Sequence, residues 1–94
     1  MAETDYYELL HISRTLRDKL PQYRDVIIQE AAKNNIDPLL LIAVIYQESR
    51  FQADARSYTG VRGLMQLTTT TAEDLNLTDR TDPVQSIKGG ARYL

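Results

Sequence analysis

Hydrophobic residues recur at a helical period along almost the whole chain. From about Asp5 the apolar positions are spaced by three and four residues, which predicts an amphipathic helix whose stripe contains Tyr6, Leu9, Leu10, Leu16 and Leu20. Pro21 is suited to the first turn of a helix, so the pattern predicts that a second helix begins there and ends near Asn34. We predict that these two helices form the N-terminal part of the domain, residues 1–36.

A central helix is predicted to follow the pair Asp37-Pro38. Aspartate is a common N-cap, and proline is favoured at the first helical position. The sequence after this pair, "LLLIAVIYQES", is apolar on nearly all sides. A helix with this pattern is usually buried, so we predict that it lies at the centre of the domain and ends at Glu48-Ser49.

The chain changes character after Phe51. The stretch "QADARSYTGVRG" has no helical stripe and contains Gly60 and Gly63, which predicts a loop. The four threonines that follow introduce a short helix, with a capping box predicted between Thr70 and Glu73.

A last helix is predicted from a second Asp-Pro pair, Asp82-Pro83. It places Ile87, Ala91 and Leu94 on one stripe. Because no alternating strand pattern occurs, the sequence predicts an all-α fold.

The composition excludes several classes of function but does not by itself indicate a particular one. The 94 residues are enough for one small domain or a piece of one, and the net charge of −2 is spread over both signs, which argues against a nucleic-acid partner. The apolar run is far too short to span a bilayer, so no membrane contact is predicted from this segment itself. There is no cysteine and no metal-ligand spacing, so we predict neither a metal nor a cofactor.

Glu48 is the candidate catalytic group. In a helix it shares a face with Leu41, Val44 and Ile45, and no cation of its own helix lies beside it. Burial among apolar side chains raises the pKa of a carboxyl, which suits a general acid that cleaves a glycosidic bond. The alternative is a solvated carboxylate, or one that pairs with an arginine such as Arg50, Arg56 or Arg62.

Three short motifs follow one another along the second half of the chain. They are "ES" at 48–49, "GLMQ" at 63–66, and Ile-x-x-Gly-x-x-Tyr-Leu at 87–94. In this order and spacing they resemble the lytic transglycosylases of the soluble-lytic-transglycosylase type, which are related in fold to goose-type lysozyme. The two runs "TGVRGLMQLT" and "DRTDPVQSIKGGARYL" resemble the membrane-bound lytic transglycosylase F branch. The resemblance implies that residues 37–94 are the motif-bearing core of a lysozyme-like catalytic domain.

The resemblance also implies a reaction. Glu48 would be a single acid/base that cleaves the bond between N-acetylmuramic acid and N-acetylglucosamine in peptidoglycan and leaves a 1,6-anhydromuramic acid end. The substrate-binding residues implied in the same way are Ser49, Met65, Gln66 and Tyr93. Each has a structural alternative: helix capping for the serine, the core for the methionine and the tyrosine, and a solvated loop for the glutamine. The parent protein would be periplasmic, with an outer-membrane anchor.

Two other functions remain open from the sequence. A lysozyme-like hydrolase would use the same Glu48 with water as the nucleophile. A cell-wall-binding or scaffold module would keep the fold without turnover, although binding alone does not require Glu48.

The chain ends at Leu94, before the Ala-Tyr-Asn motif of the family. The resemblance therefore implies a catalytic domain truncated at its C-terminus, with little activity alone. We also expect the apolar stripe of the last helix, formed by Ile87, Ala91 and Leu94, to promote self-association of the chain.

Overall fold

A computed structural model describes residues 6–94. This part of the chain forms four helices, in the order α1 (Tyr6–Lys33), α2 (Pro38–Ser49), α3 (Thr69–Asp74) and α4 (Pro83–Tyr93). Helix α1 packs against both α2 and α4. The all-α prediction is confirmed, while the predicted start at Asp5 lies outside the described residues. No helix in the described range combines the length and the apolar character needed to cross a bilayer.

Helix α1 runs through Pro21 without interruption, so the predicted division into two helices is wrong. Proline has no backbone N–H, and its ring crowds the carbonyl four residues earlier, which costs a helix interior about 3 kcal/mol. The apolar stripe nevertheless keeps its phase across Pro21, with Leu20 and Tyr23 both packed against the core. Burial of this stripe outweighs the local cost because it extends on both sides of the proline.

Replacing Pro21 should stabilise the chain. Pro21 is exposed, so Pro21→Ala removes no core contact and restores the missing N–H. We expect the free energy of unfolding to rise by about 1–3 kcal/mol, part of the gain being offset by the greater freedom of the unfolded chain. Urea unfolding measures the change.

The matched control is Pro38→Ala, at the first position of α2, where proline is favourable. This variant should show no gain in stability. Equal gains in the two variants would mean that the position of Pro21 inside the helix is not the cause.

Helix α2 begins where the Asp37-Pro38 signal predicted. The Asp37 carboxylate accepts a hydrogen bond of 2.9 Å from the backbone N–H of Leu39. The predicted burial of this helix holds for one face only, because Leu41 is fully buried whereas Leu39 is 71% exposed. The helices of the described chain cover only one face of α2, the row formed by Leu41, Ile45 and Ser49.

The chain leaves α2 through two left-handed residues. Arg50 and Phe51 have backbone φ angles of 52° and 61°, in the left-handed region that residues other than glycine rarely occupy. The Phe51 ring is buried and stacks on Tyr23, with 6.2 Å between the ring centroids. The helix therefore ends immediately after Glu48 and Ser49, and the following loop is fixed to α1 at its second residue, Phe51.

Helix α3 is capped two residues earlier than predicted. The Thr68 hydroxyl accepts a hydrogen bond of 3.0 Å from the N–H of Thr71. The predicted capping box at Thr70 is therefore wrong, because Thr70 already lies in the first turn of the helix. Before α3, the predicted loop is confirmed. Two isolated antiparallel β-bridges connect its backbone, one between Arg56 and Arg62 and one between Arg62 and Leu67.

Helix α4 begins at the second Asp-Pro signal, as predicted. The Asp82 carboxylate accepts a hydrogen bond of 3.0 Å from the N–H of Gln85. Ile87 and Ala91 are already buried in the core, whereas Leu94 is 53% exposed. Two of the three side chains expected to drive self-association are thus covered within the chain, and self-association stays a prediction.

Candidate active site

A surface depression of about 280 Å³ lies where the end of α2 faces α3 and the end of α4. It is lined by Val44, Glu48, Met65, Gln66, Leu67, Thr68, Thr71, Gly90, Tyr93 and Leu94. Four of the five residues that the sequence proposed for the site are in this set, and Ser49 is not. The structure thus brings together residues that lie 45 positions apart in sequence, from Glu48 to Tyr93.

The prediction that Glu48 is buried is wrong, because its side chain is exposed. The buried row of α2 contains Leu41, Ile45 and Ser49, which are spaced by four residues. Glu48 lies beside this row, on the flank that it shares with Val44, and this flank faces the open depression. The position of Glu48 on the same helical face as apolar residues was therefore not sufficient to predict its burial.

Glu48 has no hydrogen-bond or ion-pair partner within residues 6–94. Arg50 donates instead to the Tyr46 hydroxyl at 2.8 Å, and Arg62 donates to the Ser57 carbonyl at 3.4 Å. The alternative of an arginine-paired carboxylate is therefore not found in the described structure. The Glu48 carboxyl is open to a ligand that enters the depression.

Ser49 points into the protein. It is 7% exposed, and its hydroxyl donates a hydrogen bond of 3.1 Å to the carbonyl of Ile45, one turn earlier in α2. This arrangement is structural but is not the predicted helix cap, because the bond lies within α2 and the C-cap residue is Arg50. Direct contact with a ligand finds no support in this placement.

Gln66 is held by the loop that contains it. Its backbone is left-handed, with a φ of 50°, and its side-chain amide donates to the carbonyls of Ala55 at 3.1 Å and Gly63 at 2.8 Å. The –NH₂ group is thus occupied, and the carbonyl oxygen of the side chain remains as a hydrogen-bond acceptor. Gln66 can accept from a ligand in the depression and at the same time brace the loop.

Met65 forms the floor between the depression and the core. It is 6% exposed, and a Cβ added at Gly90 would lie 2.5 Å from its Cε, so the two residues are in close contact. Its backbone N–H donates a hydrogen bond of 3.0 Å to the hydroxyl of Ser86, which is fully buried. Met65 is therefore both a core residue and a wall of the depression.

Arg80 stabilises the loop that contains Met65 and Gln66. Its guanidinium donates to the carbonyls of Gly60 at 2.8 Å and Leu67 at 2.9 Å, at the two ends of the segment that bears Met65 and Gln66. The side chain and N–H of Thr81 donate to Asp79, which holds the pKa of that carboxyl below its usual range. The turn on either side of Arg80 is thus ordered by its own hydrogen bonds.

The remaining lining combines hydroxyl groups with the apolar side chains of Val44, Leu67 and Leu94. Tyr93 is 70% exposed and makes no hydrogen bond to Glu48, and Thr68 and Thr71 add two further hydroxyls. Sequence reasoning missed these threonines, although the run of four was visible. Among the described residues that line the depression, Glu48 is the one acidic side chain, whereas most glycosidases use a pair of carboxyls.

No group of His, Cys, Asp or Glu in the described range is arranged to hold a metal ion. The residues that line the depression can transfer a proton through one carboxyl and can form hydrogen bonds through one amide oxygen and several hydroxyls.

Comparison with known proteins points to one family. A family model described as "Transglycosylase SLT domain" matches residues 25–94. The membrane-bound lytic murein transglycosylase F 2 of Alkalilimnicola ehrlichii is 47% identical over 94 residues, which is all of this chain and 21% of the relative. The membrane-bound lytic murein transglycosylase F of Stutzerimonas stutzeri is 49% identical over 82 residues, 87% of this chain and 17% of the relative.

A third relative, the membrane-bound lytic murein transglycosylase F of Shewanella sediminis, is 48% identical over 90 residues, 96% of this chain and 18% of the relative. The chain thus spans about a fifth of the length of the curated relatives that it matches.

Proposed function

Because the chain belongs to the transglycosylase SLT domain family, we propose that it supplies the catalytic carboxyl of a peptidoglycan lytic transglycosylase of the cell envelope. The observation that carries the proposal is the position of Glu48. It is unpartnered in the described chain and lies in a depression with Gln66 and Tyr93. The relatives bear the name murein transglycosylase, which makes glycan strands of the cell wall the proposed substrate.

One carboxyl is enough for the proposed cycle. As an acid, Glu48 protonates the glycosidic oxygen between the muramic acid and glucosamine units, and the bond to the anomeric carbon breaks. As a base, it then removes the proton from the 6-hydroxyl of the muramic acid, whose oxygen closes on the same carbon. The carboxyl regains its proton, no water is consumed, and the product has a 1,6-anhydro end.

The exposure of Glu48 sets a condition on this mechanism. A general acid works best when water is excluded from it. A sugar ring seated between Glu48 and Tyr93 would displace that water, and the acceptor oxygen of Gln66 would receive a hydrogen bond from the same ligand. Substrate binding would thus complete a site that is open in the free chain.

A lysozyme-like hydrolase is the second candidate, and the exposure of Glu48 to solvent is the observation that favours it. In that reaction the same carboxyl activates a water molecule, which attacks the anomeric carbon. The product then has a reducing end and is heavier by one water.

Digestion of purified sacculi by the full-length protein in water enriched in oxygen-18 separates the candidates. We expect unlabelled fragments with anhydro ends in mass spectrometry. Labelled reducing ends would identify the hydrolase. Retention on sacculi without any released fragment would identify a binding module.

A further inference from the structure

A second depression lies on the other side of α4. It has a volume of about 410 Å³, compared with about 280 Å³ for the depression at Glu48. The last turn of α1, the segment after α3 and one face of α4 enclose it, and we name it the α1–α4 depression. Its size falls within the range of about 300–1,000 Å³ that is usual for ligand sites.

The charge around the α1–α4 depression is opposite to that of the whole chain. Lys33, Lys88 and Arg92 contribute three positive side chains, and Glu30 contributes one negative side chain. The chain as a whole has a formal net charge of −2. An anionic ligand is therefore attracted to this region of the surface and not to the protein in general.

The cations at this site differ in what they pair with. Glu30 is only 4% exposed, and its carboxylate lies 3.4 Å from the Lys33 ammonium, so these two charges offset each other. Lys88 and Arg92 are exposed and form no ion pair within residues 6–94. They lie one helical turn apart on the same face of α4, which presents two uncompensated positive charges side by side.

The neutral lining indicates what kind of anion fits. The side-chain oxygen of Gln85 accepts from the N–H groups of Thr78 at 2.9 Å and Asp79 at 3.1 Å, which leaves the –NH₂ of Gln85 free to donate. Leu75 and Leu77 are half-buried and add apolar surface. Amide donors and leucine side chains beside two cations suit a peptide better than a bare phosphate.

We propose that the α1–α4 depression binds an acidic peptide, with two of its carboxylates on Lys88 and Arg92 and its backbone near Gln85. The site is separate from the depression that contains Glu48. That the natural ligand is a peptide attached to the glycan strand is the one step that rests on the proposed function. The binding itself is measured without turnover, so its failure is distinguishable from a failure of the proposed reaction.

The probe is the acetylated tetrapeptide Ala-Glu-Glu-Ala, titrated into the isotope-labelled chain while backbone amide signals are followed by NMR. We expect saturable shifts in residues 75–77 and 85–92. The peptide Ala-Gln-Gln-Ala, which has the same shape without the side-chain charges, should produce much weaker shifts.

The variant Lys88→Gln/Arg92→Gln should weaken binding by at least about tenfold, since two charge-assisted hydrogen bonds are lost. The matched control is Arg14→Gln/Lys19→Gln, which removes the same charge from exposed positions on α1 beside a different depression. This control should bind the peptide as the unmodified chain does. If the first double variant loses its fold, Lys88→Gln alone provides the same comparison.

Four results would overturn the proposal. They are the absence of saturable shifts, equal binding of the uncharged peptide, equal weakening in the two double variants, and equal affinity for inorganic phosphate at the same residues. The last would show a general anion site and not a peptide site.

Discussion

Glu48→Gln in the full-length protein should lower the release of anhydro-ended fragments from purified sacculi by at least about a hundredfold. Glutamine keeps the size of the side chain and removes the proton that both steps of the proposed cycle use. Because Glu48 is exposed and has no partner within residues 6–94, the free energy of unfolding should be unchanged. A large loss of activity would therefore lie in the chemistry and not in the fold.

Glu73→Gln is the matched control for this experiment. Glu73 is an exposed carboxylate on α3, close in sequence to Thr71, but it does not line the depression. This variant should release fragments at the unmodified rate. Full activity of Glu48→Gln, or equal losses in both variants, would contradict the assignment of Glu48 as the acid/base.

The sequence predicted best those features that depend on a few neighbouring residues. Asp37-Pro38 and Asp82-Pro83 each begin a helix, and in both cases the aspartate accepts a hydrogen bond from an N–H of the first turn. Such a cap forms within four residues of sequence, so it depends little on distant packing. The start of α3 is the exception, because the cap there is Thr68 and not the predicted Thr70.

Features that depend on distant packing were predicted less well. Pro21 was expected to begin a helix, but the apolar stripe on either side of it packs against one core and keeps α1 continuous. The same limit applies to α2, whose sequence is apolar on all sides although only one face is covered in the described chain. The hydrophobic pattern of a helix shows which of its residues are apolar, but it does not show which other elements pack against them.

The sequence predicted some residues of the candidate site and missed others. The order of three motifs was sufficient to collect Glu48, Met65, Gln66 and Tyr93, which line one depression. The two residues that hold the loop in place, Arg80 and Ser86, were missed. Arg80 binds a carbonyl 20 positions away and Ser86 binds an N–H 21 positions away, and no local periodicity marks such contacts.

The loop that carries Gln66 depends on the absence of a side chain at Gly63. A Cβ built at Gly63 would lie 2.2 Å from the backbone carbonyl oxygen of Arg80 and 3.2 Å from the Ser86 hydroxyl. The first contact is with backbone, which cannot rotate away as a flexible side chain does. Gly63 also has a φ of +84°, which alanine adopts only with strain.

Gly60 provides a control in the same loop. Its φ is +96°, but a Cβ built there meets nothing within 4 Å. Gly60→Ala should therefore cost only the backbone strain, about 1–2 kcal/mol. Gly63→Ala adds the displacement of the Arg80 backbone, and we expect a total loss of at least about 4 kcal/mol.

Urea unfolding of the two variants measures this difference. A loss of about 4 kcal/mol is a large part of the 5–15 kcal/mol that a typical domain has, so Gly63→Ala should be close to unfolding at room temperature. Where it remains folded, the amide signals of Met65 and Gln66 should shift, because Arg80 holds both ends of their segment. Equal losses of stability in the two variants would show that backbone strain alone matters, and that the contact between Gly63 and Arg80 does not set the position of the loop.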